Sequence, residues 1–291
     1  MPSNLLDAKS GSNAVVGTLY IVATPIGNPE DITLRAVEIL RTVDIIAAED
    51  TRQTGMLLKT HGIATRLMSY HEHNERQRAE QLLEKLKAGR AVEVVSDAGT
   101  PTISDPGYRL VSTAAAAGID VVPLPGVSAA TAALSVSGLP TDTFTFIGFP
   151  EKKAAKRIKQ LTDLADRRET LIFYESPRRV VGLLEAVLEC MGDRPVVLAR
   201  EMTKKFEEFV RGSVSQVISE LEARAGVKGE CTLLVSGNPD EEPVAPEKIR
   251  AEIAKLLASG EVGTAEVSKQ VAHKFRISKK EAYAMVLAQK A

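Results

Sequence analysis

From Thr18 onward, short runs rich in apolar and β-branched residues alternate with amphipathic stretches of helical period, and this alternation constrains the fold more than any other feature. The runs are TLYIVA, DIIAAE from Asp44, RLMSY from Arg66, AVEVVS from Ala91 and IDVVPL from Ile119. Strands separated by helix-length segments are the mark of βαβ units, so five such runs predict one α/β domain built on a largely parallel sheet.

Around Phe144 to Pro150 the texture changes. TFTFIGFP, the basic stretch EKKAAKRIKQL, TLIFYE, VVGLLEAVLEC and PVVLAR follow, and KFEEFVRGSV and GECTLLVSG close the region. Strand-like runs now lie closer together, which predicts a second α/β domain with more antiparallel pairing. The acidic, proline-rich GNPDEEPVAPEK reads as a linker. Three short helical patterns beyond it suit a small module of helix-turn-helix type. The expected organisation is a flexible tail over 1–17, α/β domains over 18–141 and 142–238, a linker over 239–246 and a helical module over 247–291.

Bulk properties narrow the function by exclusion. A formal net charge of -1 gives no global attraction to polyanions, although the segment from Pro246 onward carries nine Lys and Arg against five Asp and Glu. Cys190 and Cys231 lie far apart without C-x-x-C spacing, so neither a disulfide framework nor a zinc knot is expected, and a reducing, cytoplasmic setting fits best. The first residues lack the basic start and apolar core of a signal peptide. Val121 to Thr141 is uncharged and nearly long enough for a span, but Pro123, Pro125, Gly126 and Pro140 argue against a continuous membrane helix.

In an open parallel sheet, ligands bind beyond the carboxyl ends of the strands. Those positions hold Thr24, Pro25, Ile26 and Gly27; Glu49, Asp50 and Arg52; His71, Glu72 and His73; Asp97, Ala98 and Gly99; and Gly126, Val127 and Ser128. In the second domain they hold Glu175 and the run Arg200 to Lys204. Some of these have a plainer explanation. Asp50 with Gln53, and Asn74 with Gln77, have the spacing of a helix N-cap and its third residue. Ser176 before Pro177 and Asp105 before Pro106 both read as N-caps with proline in the first turn. Asp97, with no helix to cap, reads as the ligand-facing member of the two aspartates in SDAGTPTISDPG. ATPIGNPED matches neither a dinucleotide nor a P-loop fingerprint. His71 and His73 lack a third ligand, so no metal is expected.

Taken together, ATPIGNPEDIT, AAEDTRQTG, HEHN, SDAGTPTISDPG, PLPGVSAATAAL, FYESPRR and AREMTK resemble the small-subunit ribosomal RNA 2′-O-methyltransferases of the tetrapyrrole methylase superfamily, in order from about Thr18 to Gly237. The resemblance implies two α/β domains of the class III S-adenosylmethionine-dependent type, a small C-terminal helical module and a homodimer. It also implies S-adenosylmethionine as methyl donor and a cytidine ribose in the decoding region of 16S rRNA, in the small ribosomal subunit, as acceptor. By motif position, the donor would meet Thr24, Pro25, Ile26, Gly27, Asp97, Ala98, Gly99, Thr100, Ile103, Ser128 and Ala129, with Phe173, Tyr174, Ala199 and Glu230 from the second domain. Tetrapyrrole-modifying relatives carry a glycine-rich first loop and a G-D-P motif after strand four. Here Thr24 and Pro25, and S-D-A-G-T-P, stand in their place, which counts against a tetrapyrrole substrate.

A sulfonium donor carries an already activated methyl group, so the remaining difficulty is the acceptor's proton, for which a positioned base helps. Glu49, His71 and Glu175 are unranked candidates, with Glu201 behind them, and each glutamate has an alternative role in an ion pair with Arg52, Arg178 or Lys204. RNA phosphates would meet Lys152, Lys153, Lys156, Arg157, Arg178, Arg179, Lys279 and Lys280. Two other activities suit the same sequence: C-methylation of a porphyrinogen or precorrin, and RNA binding without catalysis.

Overall fold

The computed structural model describes residues 16–238, 246–258, 263–275 and 279–290. Of the expected tail over 1–17 and the expected linker over 239–246, residues 1–15 and 239–245 lie outside the described residues, and Pro246 already belongs to a helix. The described residues up to Asn238 form one compact unit and those from Pro246 another.

In the first unit the alternation seen in the sequence becomes β1 (Thr18–Val22), α1 (Leu34–Thr42), β2 (Ile45–Ala48), α2 (Thr51–Thr60), β3 (Leu67–Ser69), α3 (Glu75–Lys87), β4 (Val92–Val95), α4 (Tyr108–Ala116), β5 (Asp120–Leu124) and α5 (Ala129–Ser137). The five strands are all parallel, in the order β3-β2-β4-β1-β5. β2 and β4 are buried along their whole length because helices cover both faces. Leu82 and Leu86 of α3 and Leu110 and Ala114 of α4 pack with Leu19, Ala47 and Val94 on one face. Ala36 and Leu40 of α1 and Leu58 of α2 pack with Val22, Ile46 and Val95 on the other.

The chain continues through β6 (Phe144–Gly148), α6 (Ala154–Leu164), β7 (Thr170–Glu175), α7 (Val180–Met191), β8 (Pro195–Arg200), β9 (Glu208–Ser213), α8 (Val214–Glu222) and β10 (Cys231–Val235). This second sheet is mixed, in the order β6-β7-β10-β8-β9, with only the β6–β7 pair parallel. α6, α7 and α8 cover one face, over Leu171, Phe173, Leu198 and Leu233. The other face meets the first half: Ala130, Ala133 and Leu134 of α5 pack on Ile172, Val197, Ala199 and Leu234. The uncharged Val121 to Thr141 segment thus supplies β5 and an α5 of nine residues, and no helix among the described residues is long and apolar enough to cross a membrane.

The C-terminal unit consists of α9 (Pro246–Ala258), α10 (Thr264–Phe275) and α11 (Lys279–Lys290). Each helix packs on the other two around Ile249, Ile253, Val267, Val271, Ala282 and Val286.

Two helix starts, and the capping of a third, differ from the sequence reading. α4 begins at Tyr108 with Gly107 as its cap, so Asp105 caps nothing. Gly107 adopts φ 131°, open to glycine and strained for other residues, and its N–H is satisfied by Glu75 Oε1 at 3.0 Å. α7 begins at Val180, not after Ser176, because Ser-Pro-Arg-Arg forms a turn in which the Ser176 carbonyl accepts from the Arg179 and Val180 N–H groups. Asn74 does stand at the start of α3, but its side chain accepts from the His71 N–H at 2.9 Å and makes no capping bond. Asp50 does cap α2, accepting from the Arg52 N–H at 2.8 Å.

Candidate functional site

Four loops at the carboxyl edge of the parallel sheet are tied into one wall. Thr24 and Gly99 exchange two backbone hydrogen bonds of 2.9 Å, and the Thr24 hydroxyl donates to the Ser96 carbonyl at 3.1 Å. The Thr100 hydroxyl donates to the Val127 carbonyl at 3.2 Å, which joins the loop after β4 to that after β5. The opposite wall comes from β7 and β10. There the Tyr174 hydroxyl accepts from the Ala130 N–H at 3.1 Å, so a side chain of the second half satisfies the first turn of α5 in the first.

Between these walls lies a cavity of about 390 Å³. Of the residues expected to hold a methyl donor, Ile26, Asp97, Ala98, Gly99, Thr100, Ile103, Ser128, Ala129, Tyr174 and Glu230 line it. Thr24, Pro25 and Gly27 line an adjoining cavity of about 330 Å³ that shares Ile26, Asp97, Ala98 and Glu230 with the first. Phe173 and Ala199 line neither. β7 alternates, so Tyr174 points to the cavity while Phe173 is fully buried beneath α7, and Ala199 is covered by the packing of α5. Sequence reasoning missed Asp105, Phe149, Cys231 and Thr232 in the larger cavity and Gln53 in the smaller, where Lys204, named only as a strand-end residue, also lies.

The larger cavity is acidic. Glu49, Asp97 and Asp105 line it, and each carboxyl is held above its usual range chiefly by burial. For Asp105 the rise reaches about 7, with the nearby Glu49 charge adding to burial and a Ser96 hydrogen bond opposing both. Asp97 Oδ1 accepts from the Asp50 N–H at 2.9 Å and Oδ2 from Gln53 Nε2 at 3.2 Å. Glu49 accepts only a long bond from the Asp97 N–H, 3.4 Å, and the His71 ring partly offsets the burial of its carboxyl. None of these three carboxylates hydrogen-bonds a lysine or arginine.

The other base candidates are differently engaged. Glu175 is 3% exposed, and its Oε1 accepts from Arg179 Nε at 2.8 Å and the Ser176 N–H at 2.7 Å, so it forms a buried ion pair with Arg179, which was not among the partners anticipated. Glu201 Oε1 accepts from Lys204 Nζ and the Glu230 N–H, both at 3.0 Å. His71 lies outside the cavity lining, with Nε2 3.2 Å from Asn74 Nδ2.

Of the basic residues, Lys152, Lys153, Lys156 and Arg178 are exposed, while Arg157 and Arg179 are half-buried. Lys279 and Lys280 are exposed on α11, where they flank a surface cavity of the C-terminal unit with Lys269 and Tyr283. Among the described residues no group of three or more His, Cys, Asp or Glu is placed to hold a metal ion.

The family described as Tetrapyrrole (Corrin/Porphyrin) Methylases matches residues 18–218. A protein of Halalkalibacterium halodurans named Ribosomal RNA small subunit methyltransferase I is 46% identical over 274 residues, covering 92% of this chain and 93% of its own. A protein of the same name from Bacillus subtilis is 48% identical over 78% of this chain and 77% of its own. Among solved structures, the uroporphyrin-III-C-methyltransferase of Thermus thermophilus superposes with a TM-score of 0.56 at 22% identity, over 76% of this chain and 94% of that one. A cobalt precorrin-4 methyltransferase gives 0.57 at 20%, over 77% and 96%. At these identities the two structures speak for the fold alone.

Proposed function

The chain belongs to the tetrapyrrole methylase family and is a methyltransferase, and we propose that it transfers a methyl group from S-adenosylmethionine to the 2′-oxygen of a cytidine ribose in the decoding region of 16S rRNA. The observation that carries the donor is the charge of the cleft. Glu49, Asp97 and Asp105 face it with no lysine or arginine hydrogen-bonded to any of them, which favours a ligand bearing sulfonium and ammonium charges and disfavours a phosphate. Ile26, Ala98, Ala129 and Tyr174 add the apolar surface that an adenine ring needs. The residues present therefore fit the donor: Asp97 and Glu230 would take its polar groups, and Gly99, Thr100, Ser128 and Ala129 its body.

When bound, S-adenosylmethionine supplies a methyl group activated by its sulfonium. The protein is left to orient the acceptor oxygen and accept its proton. Glu175 is held by Arg179, so the carboxylates available to receive the 2′-hydroxyl proton are those of Glu49 and Asp105. Asp105 is the better matched to neutral pH, since burial pushes it to about 7. Phosphates, repelled from the acidic interior, would rest outside on Lys152, Lys153, Lys156 and Arg178, with Arg157, Arg179, Lys279 and Lys280 in support. A homodimer acting on the small ribosomal subunit in the cytoplasm completes the proposal, and the relatives named Ribosomal RNA small subunit methyltransferase I support that acceptor.

The test is incubation of the protein and labelled S-adenosylmethionine with small subunits lacking the modification, followed by digestion to nucleosides. Label is expected in 2′-O-methylcytidine. Label transferred only to a porphyrinogen would replace this reading with tetrapyrrole C-methylation, and subunit binding without any transfer would replace it with RNA binding alone.

A further inference from the structure

Phe149 is a large aromatic side chain left 54% exposed where it lines the cleft. Its position is built rather than incidental. Gly148, at φ 72°, turns the chain at the end of β6, and a Cβ there would lie 2.8 Å from Ser104 Oγ, so this turn sits against the loop before α4. The Phe149 ring then meets Tyr174 edge to face at 5.8 Å, and Tyr174 is itself fixed by the Ala130 N–H and by Phe146 at 4.9 Å. Ile103, 46% exposed, lines the same cavity from the other half of the unit. Two exposed apolar side chains, one from each half of the unit, thus line a cleft whose interior is acidic.

The charge around Phe149 has the opposite sign. Residues 149–159 contain five basic side chains against the single acid Glu151. Lys152, Lys153 and Lys156 are exposed, and Arg178 is exposed next to Pro177, which lines the cleft. A phosphodiester is attracted to this rim and repelled by Glu49, Asp97 and Asp105 within, whereas a neutral planar base can enter between them and stack on an aromatic face.

We propose that Phe149, with Ile103 from the other half of the unit, is the platform on which the base of the target nucleotide stacks, while Lys152, Lys153 and Arg178 hold the flanking phosphates and the ribose faces the acidic interior. Phe149 is then a positioning residue for the acceptor. This proposal rests on the RNA-methylation reading above. A base on an exposed ring has left its own stack, the manner in which unpaired RNA nucleotides are commonly recognised.

The test compares wild type, Phe149→Ala and Phe149→Tyr in three measurements: binding of unmethylated small subunits by the donor-free protein, S-adenosylmethionine affinity by calorimetry, and KM and kcat for subunit methylation. Phe149→Ala is expected to weaken subunit binding and raise its KM by about 10-fold or more, the size of one lost base stack. Phe149→Tyr should restore both to within about 2-fold, with donor affinity unchanged in both variants. Unchanged subunit binding and KM in Phe149→Ala would overturn the proposal while leaving the reaction intact. Equal losses of donor and subunit affinity would also overturn it, by making Phe149 a wall of the donor site. If wild type methylates no ribosomal RNA, the RNA reading itself falls, and this proposal with it.

Discussion

Asp105→Asn separates a residue kept for chemistry from one kept for structure. Burial and the Glu49 charge raise the Asp105 carboxyl from 3.8 to about 7. Three pH units at about 1.4 kcal/mol each set an upper limit of about 4 kcal/mol on the cost of ionising it in the fold. Asp105 is only half-buried, and solvent screening brings the expected cost down to about 1–3 kcal/mol. The folded chain holds this proton where the unfolded chain has lost it, so wild-type stability falls as pH rises from about 4 to 7. Asparagine has the same shape and no charge, so its variant escapes this fall. Urea denaturation followed by circular dichroism should find the two proteins similar near pH 4, and the variant about 1–3 kcal/mol more stable at pH 8. Methyl transfer should nonetheless drop by about 10²-fold or more, as for loss of a general base. A variant that is less stable at pH 8 by about 0.5–2 kcal/mol would refute the reasoning, because that is the signature of a lost helix cap.

Two further substitutions probe the frame around the cleft. Tyr174→Phe leaves the Ala130 N–H without its acceptor at the start of α5, and should cost about 1–3 kcal/mol in urea denaturation; an unchanged midpoint would show that this bond does not help join the two halves. Glu93, in the middle of β4 between Tyr20 and Ile46, is fully buried with neither carboxyl oxygen partnered, and burial holds its carboxyl well above the usual range. The fold therefore opposes ionisation of Glu93, and its contribution to stability declines as pH rises above about 4.5. Glu93→Met should stabilise the protein by about 1–3 kcal/mol, with more gain at pH 8 than at pH 5; destabilisation at both values would contradict the account.

The alternation of strands and helices was legible because each strand of the parallel sheet is short, apolar and followed by a helix whose own period is plain. The clustering of strand-end residues followed from the same topology, since Ile26, Glu49, Asp97 and Ser128 sit on four separate loops that parallel order brings to one edge. What failed was the local rule applied to Asp-Pro and Ser-Pro. Both pairs have the composition of a capped helix start, yet in each case the chain makes a turn before the helix begins. At Asp105 the deciding partner is Glu75, remote in sequence, which satisfies the Gly107 N–H and leaves Asp105 free to line the cleft. Likewise the alternation of β7 says that Phe173 and Tyr174 face opposite ways, but which of them meets the cleft depends on where α5 packs. The two aspartates consequently exchange emphasis. Both oxygens of Asp97 already hold the start of α2, through the Asp50 N–H and Gln53, whereas the shift of Asp105 comes mainly from burial and from the nearby Glu49 charge. Of the two carboxylates, Asp105 is the one whose proton the cleft itself controls.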